Sequence, residues 1–174
     1  ASPEIGDYPF TTKAPNTGMM RYENIQIQLI DLPAINSREA RVWLGNVVRN
    51  ADLLLIMADL SDAPASQMKT IIEELESRRI KPVGGAAKPG LDAGWFKKRA
   101  LIVGNKSDQE SSSRGSSELT SQYGAEFPIL SISAKKGMGL EELRQEVYRS
   151  LDIIRVYTKA PGGKPELNDP VILR

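Results

Sequence analysis

The sequence predicts an α/β fold in which a mostly parallel sheet carries helices on both faces and presents its ligand loops at one end. Three observations predict it. Asp31-Leu32-Pro33-Ala34 follows the alternating run Asn24-Ile25-Gln26-Ile27-Gln28-Leu29-Ile30. Asn105-Lys106-Ser107-Asp108 follows Ala100-Leu101-Ile102-Val103-Gly104, and Ser133-Ala134-Lys135 follows Phe127-Pro128-Ile129-Leu130-Ser131-Ile132. A polar motif at the carboxyl end of each apolar strand is what a doubly wound sheet requires, because its ligands sit outside those ends.

Taken in order, residues 1–17 are polar and irregular, with Pro3, Pro9 and Pro15 discouraging helix. Gly18 to Tyr22 and Asn24 to Ile30 read as an antiparallel pair leading into Asp31. Asn36-Ser37-Arg38-Glu39 offers a capping residue with Glu three positions on. A helix follows with Ala40, Leu44, Val47 and Ala51 on one stripe. Leu53 to Asp59 is a continuous apolar run, as expected for a parallel strand buried on both faces. The next helix carries Met68, Ile71, Ile72 and Leu75. Ile80 to Phe96 is rich in Gly and Pro and reads as a surface insertion. Gln109 to Ser117 is Ser-rich and reads as mobile, before a short helix through Leu119 and Tyr123 ending near Gly124. Gly137-Met138-Gly139 is a turn supplying positive φ. The last helix aligns Leu140, Leu143, Val147 and Leu151, and strand-like Ile153 to Thr158 follows almost without a linker. Trp43 and Trp95 read as packing residues, and Lys97, Lys98 and Arg99 as a solvated cap on the following strand.

Composition narrows the chemistry. At 174 residues the chain can bury a substantial core. Lys and Arg number 23 against 22 Asp and Glu, a balance with no polyanion-binding signal of its own. Cysteine and histidine are absent, which excludes disulfides, thiolate metal sites and imidazole acid–base chemistry, and suits a reducing cytoplasm. No apolar stretch approaches the roughly 20 residues needed to span a bilayer, and no basic-then-apolar leader is expected.

Asn105-Lys106-Ser107-Asp108 is an NKxD motif, and its residue types suit guanine. An ionised Asp108 accepts from both N1–H and the exocyclic N2 amine of guanine. Adenine offers neither donor, and the desolvated carboxylate would be left unpaired. Lys106 would lay its alkyl stem along the base plane, and Asn105 would tie neighbouring loops together. Without its companions, the same tetrapeptide reads as a solvated turn.

With Asp7-Tyr8-Pro9-Phe10-Thr11-Thr12 and Pro15-Asn16-Thr17-Gly18 added to DLPA, NKSD and SAK, the chain resembles a GTPase of the Obg and developmentally regulated GTP-binding protein group. The resemblance covers nearly the whole chain. Arg155-Val156-Tyr157-Thr158-Lys159 and Leu167-Asn168-Asp169-Pro170-Val171-Ile172-Leu173 resemble the opening of a TGS domain. The implied fold is a P-loop-NTPase-type G domain over residues 1–151, incomplete at its N-terminus. A partial β-grasp-like TGS domain over 152–174 would follow. The implied ligands are GTP or GDP with Mg²⁺. Asn105, Lys106, Asp108, Ser133, Ala134 and Lys135 would form the guanine site, with the Ala134 N–H on O6. Asp31 would hold a water on Mg²⁺. Thr12 would ligate the metal and bind the γ-phosphate through its backbone, with Thr11 as the alternative. The resemblance also implies a ribosome or RNA partner, with no membrane or DNA.

Two features depart from that pattern. No GxxxxGK(S/T) loop occurs, so the backbone cradle for phosphates is missing from the sequence. In the group that loop follows a strand lying between those of Asn24–Ile30 and Leu53–Asp59, so a fragment with weak nucleotide binding or none, and no competent turnover, is expected. Ala34 stands where DxxG has glycine, which restricts φ at switch II, and the apolar Ile35 follows it. No residue is assigned as catalytic. Two further readings stay open: a non-catalytic G-domain-like scaffold, and an RNA-binding module centred on the TGS part.

Overall fold

The computed structural model describes residues 16–35, 40–85, 88–159, 161–163, 167 and 170–173. Thr11, Thr12 and the cap at 36–39 lie outside them, as does the side chain of Trp43. The centre of the molecule is β6 (Trp95–Asn105). It runs parallel to β3 (Leu54–Asp59), with Leu54 beside Ala100 and Asp59 beside Asn105. It also runs parallel to β7 (Ile129–Ser131) and β4 (Ile80–Val83), while β5 (Gly90–Asp92) joins antiparallel. Strands β3 and β7 both pair with Ile102–Gly104, so they occupy opposite edges of β6.

Alternation along β6 builds two cores. Ala100 and Ile102 face one, together with Ile56 and Ala58 of β3. That core is closed by Val48 of α1 (Ala40–Asn50), Met68 and Leu75 of α2 (Pro64–Glu76), and Leu119 of α3 (Ser112–Tyr123). Leu101 and Val103 face the other, against Val147 of α4 (Leu140–Leu151). Met20 and Ile27 pack there too, from the antiparallel hairpin of β1 (Asn16–Tyr22) and β2 (Ile25–Asp31). The hairpin is its own sheet, and among the described residues β3 is laddered only on its β6 edge.

The structure departs from the sequence expectations at several places. Ile80 to Phe96 contributes two strands, and Ile80 is fully buried in the main core; a short alternating pattern was hidden by surrounding Gly and Pro. The Ser-rich 109–117 stretch is largely helix. Its small side chains let α3 approach the loop after β6 and the turn after β3: Ser112 Oγ donates to the Ser107 carbonyl at 2.9 Å. A Cβ at Gly115 would collide with the Leu60 carbonyl oxygen. The end of α3 matches the expectation: the helix stops at Tyr123, and Gly124, right-handed at φ −65°, returns its N–H to the Thr120 carbonyl.

Lys98 and Arg99 also differ from a solvated cap. Lys98 Nζ donates to the carbonyl of Ala51 at the end of α1 (2.8 Å), and Arg99 Nη1 to that of Ser150 at the end of α4 (2.5 Å). Cations at helix C-termini meet both orphan carbonyls and the negative end of the dipole. Beyond α4, Asp152 takes a left-handed φ of 53°, and β8 (Ile154–Val156) pairs antiparallel with β9 (Val171–Leu173). Arg155 reaches back to the hairpin turn. It pairs with Glu23 and stacks on Tyr148 at 4.4 Å, while Asn24 Nδ2 donates to the Leu167 carbonyl at 2.9 Å.

Candidate functional site

The loops after β6 and β7 form one polar unit. Asn105 ends β6, and its side-chain oxygen accepts from the Lys106 N–H at 2.8 Å and the Ala134 N–H at 3.0 Å. One carboxamide thus joins the NKSD loop to the SAK loop. It also stabilises Lys106 in a left-handed conformation, φ 64°, that a lysine adopts only when held. Ser107 N–H donates to the Ile132 carbonyl at 2.9 Å, and Leu60 N–H to the Asn105 carbonyl at 3.0 Å. The strand ends are cross-bonded around the motif.

Ser133 is fully buried and orients Asp108. Its hydroxyl donates to Asp108 Oδ1 at 2.6 Å and accepts from the Lys136 N–H at 3.1 Å. Lys136 Nζ lies 3.8 Å from Asp108 Oδ2. The Ser133 hydroxyl holds the Asp108 carboxyl below the usual carboxylate range, helped by the charges of Lys136 and Lys135. Backbone bonds between Ser133 and Met138 pinch the SAK loop closed. Gly137 (φ 72°) and Gly139 (φ 73°) supply its left-handed turns, and a Cβ at Gly139 would strike the Ser131 carbonyl oxygen.

Of the residues singled out in sequence, Asn105, Lys106, Asp108, Ser133 and Ala134 are brought into one bonded group. Lys135 stands exposed beside it and contributes its charge. Asp31 and Ala34 are exposed at the end of β2, anchored by the packing of Leu32 and Ile35 on the main core. Among the described residues, no hydrogen bond or ion pair connects them to the NKSD–SAK group, and the Asp31 carboxylate has neither. No trio of His, Cys, Asp or Glu among the described residues is placed to hold a metal ion. Sequence reading missed Lys136 and Asp59. Asp59 ends β3 beside Asn105, so the rule that found the other motifs, a polar residue closing an apolar run, also points to it. Open clefts beside β5, lined by Leu91, Trp95 and Lys97, contain none of these groups.

A mostly parallel sheet with helices on both faces, and polar loops at the carboxyl ends of its strands, defines an α/β G-domain fold. Two solved structures share it: elongation factor SelB from Methanococcus maripaludis in its apo form, and a variant of Aquifex aeolicus Era bound to GDP·AlF4−. SelB matches with TM-score 0.53 and 23% identity, over 77% of this chain and 27% of that one. Era matches with TM-score 0.59 and 20% identity, over 84% and 47%. The family model described as 50S ribosome-binding GTPase matches residues 1–88, and the chain belongs to that family. Among curated relatives, GTPase Obg of Chlorobium luteolum is 33% identical over 162 residues, 88% of this chain and 42% of the relative. GTPase Obg of Borrelia garinii subsp. bavariensis is 29% identical over 154 residues, 85% and 43%. An uncharacterized GTP-binding protein of Methanocaldococcus jannaschii is 24% identical over 232 residues, 100% and 59%. The chain thus spans under half the length of these Obg relatives. Among the described residues no helix is long and apolar enough to cross a membrane.

Proposed function

We propose that this chain binds guanine nucleotide with Mg²⁺ as an Obg-type GTP-binding protein. The observation that carries the reading is the junction of the NKSD and SAK loops by the Asn105 side chain, with Ser133 fixing Asp108 beside it. In this reading the free oxygen sites of Asp108 accept N1–H and the N2 amine, and Ala134 N–H is shared with guanine O6. Lys106 lies along the base, and Lys135 adds positive charge near the loop. The Asp31 carboxylate, unpaired among the described residues, fits a hydrated Mg²⁺, since that ion keeps its waters and needs only one or two carboxylates plus phosphate. Thr12 or Thr11 would complete the metal shell, and the Ala34 N–H would face the γ-phosphate. Bound Mg²⁺ would neutralise phosphate charge. With no GxxxxGK(S/T) loop in its sequence, the chain is assigned binding and not turnover, and no catalytic residue is named.

The same reading divides the chain at Leu151 into a G domain over 1–151 and the opening of a TGS domain over 152–174. It makes the ribosome or an RNA the partner, in the cytoplasm. A fluorescent-GDP titration with Mg²⁺, competed by GTP, GDP and ATP, tests the nucleotide. Competition by the guanine nucleotides alone is expected. Equal competition by ATP, or no binding at millimolar GDP, would sink the reading.

A further inference from the structure

Asp59 and Lys106 come from neighbouring strand ends, because the parallel register sets Asp59 beside Asn105. Lys106 turns its ammonium toward β3, with Nζ 2.5 Å from Asp59 Oδ2. The other carboxylate oxygen of Asp59 accepts from Ser61 N–H at 2.9 Å and Ser61 Oγ at 2.6 Å, and the Asp59 N–H donates to Gln67 Oε1 at 3.0 Å. The carboxylate is therefore fixed by its own strand and turn. Asp108 and Ala134 are bonded on the β7 side of Asn105, whereas Lys106 reaches to the β3 side. Its alkyl stem is thereby drawn across the strand ends, over an interstrand spacing of about 4.8 Å.

We propose that Asp59 is a positioning residue for the guanine base: it holds Lys106 extended, so that the stem forms a preset apolar surface on which the base lies. This rests on the guanine reading above. The pair is partly exposed, Lys106 at 54% and Asp59 at 25%, so it contributes little to stability. Its effect falls on the ligand. A free lysine loses rotamer freedom when a base packs on it, and an anchored one has already lost it. The titration directions agree with the geometry. Burial alone would raise the Asp59 carboxyl, yet bonds from Lys106 and Ser61 hold it below its usual range. The bond to Asp59 raises the Lys106 ammonium above its usual value.

The test uses the 174-residue chain with GDP and Mg²⁺, and lysine-selective NMR to follow Lys106. Asp59→Asn keeps an acceptor for Ser61 and removes the charge. It is expected to return the Lys106 titration toward 10.5 and to weaken GDP binding about three- to tenfold. Lys106→Met should weaken binding too, and Asp59→Asn added to it should cost nothing more, since Asp59 acts through Lys106. An unmoved Lys106 titration, unchanged GDP affinity in Asp59→Asn, or additive losses in the double variant would each overturn the proposal. Loss of binding in Asp108→Ala beside full affinity in Asp59→Asn would overturn it while leaving the guanine reading intact. A parent chain that binds no GDP overturns both.

Discussion

The loops after β6 and β7 and the segment after β2 both stand at strand ends, yet they are built differently. The first pair is closed by its own bonds: Asn105 to Ala134, Ser133 to Asp108, Ser107 to Ile132. At the second, Asp31 closes the β1–β2 ladder opposite Asn16, Leu32 and Ile35 pack on the main core, and among the described residues the Asp31 carboxylate has no hydrogen bond or ion pair. A site that recognises a fixed shape gains from being preformed, because ordering costs are met during folding. Groups that meet a metal and a phosphate gain from remaining unpaired, since a carboxylate already engaged must break one interaction to make another. On the proposed nucleotide reading, the two regions would divide recognition and response between them.

That contrast can be broken at several points. The largest expected effect is Asp108→Ala, which should weaken GDP binding at least about 100-fold, read by fluorescence titration. Asp31→Ala should leave metal-free GDP binding unchanged and remove only the Mg²⁺-dependent increment. Gly115→Ala drives a methyl into the Leu60 carbonyl, which a backbone cannot readily yield to, and should cost about 3 kcal/mol in a denaturant titration. Because Leu60 N–H bonds the Asn105 carbonyl, the damage should reach the preformed loops first, as faster amide exchange there. Asn105→Ala strands the N–H groups of Lys106 and Ala134 and should cost about 2 kcal/mol, a fall in Tm of roughly 4–8 °C. Arg155→Ala, remote from both regions, loses its stack on Tyr148 and should cost about 1 kcal/mol with unchanged nucleotide affinity.

The smallest effect concerns pH. The Asp108 carboxyl is lower in the folded chain than its ordinary 3.8, so folding favours the ionised form. Its contribution is complete above that value and disappears as pH falls through the folded pKa. The stability Asp108 contributes should therefore be flat from pH 7 to about 5, read by denaturant titration. Ser133→Ala should move the Asp108 titration back up toward 3.8, seen by carboxyl-carbon NMR.

The parallel core and the two preformed loops were legible because each joins an apolar run to a polar motif, a local signal that burial amplifies. Strand β4 was not: Ile80 and Pro82 alternate over only four residues, and the following glycines dominate the composition. Helix α3 was misread because Ser112 and Gly115 look like loop residues, whereas their smallness serves close packing on Leu60, a tertiary fact. Lys98 and Arg99 looked solvated because nothing local shows that two helices end beside them. Asp59 and Lys136 fell outside the motifs; only the strand register and the folded SAK loop bring them to Lys106 and Asp108.

The adjacent cations of β6 have a consequence for how the molecule comes apart. Lys98 holds the end of α1 on one face of the sheet and Arg99 the end of α4 on the other. Neither helical layer can peel away without releasing a cation from the central strand. Hydrogen exchange should therefore find α1 and α4 opening in one cooperative unit with β6, and Lys98→Met should split that unit by freeing α1 alone.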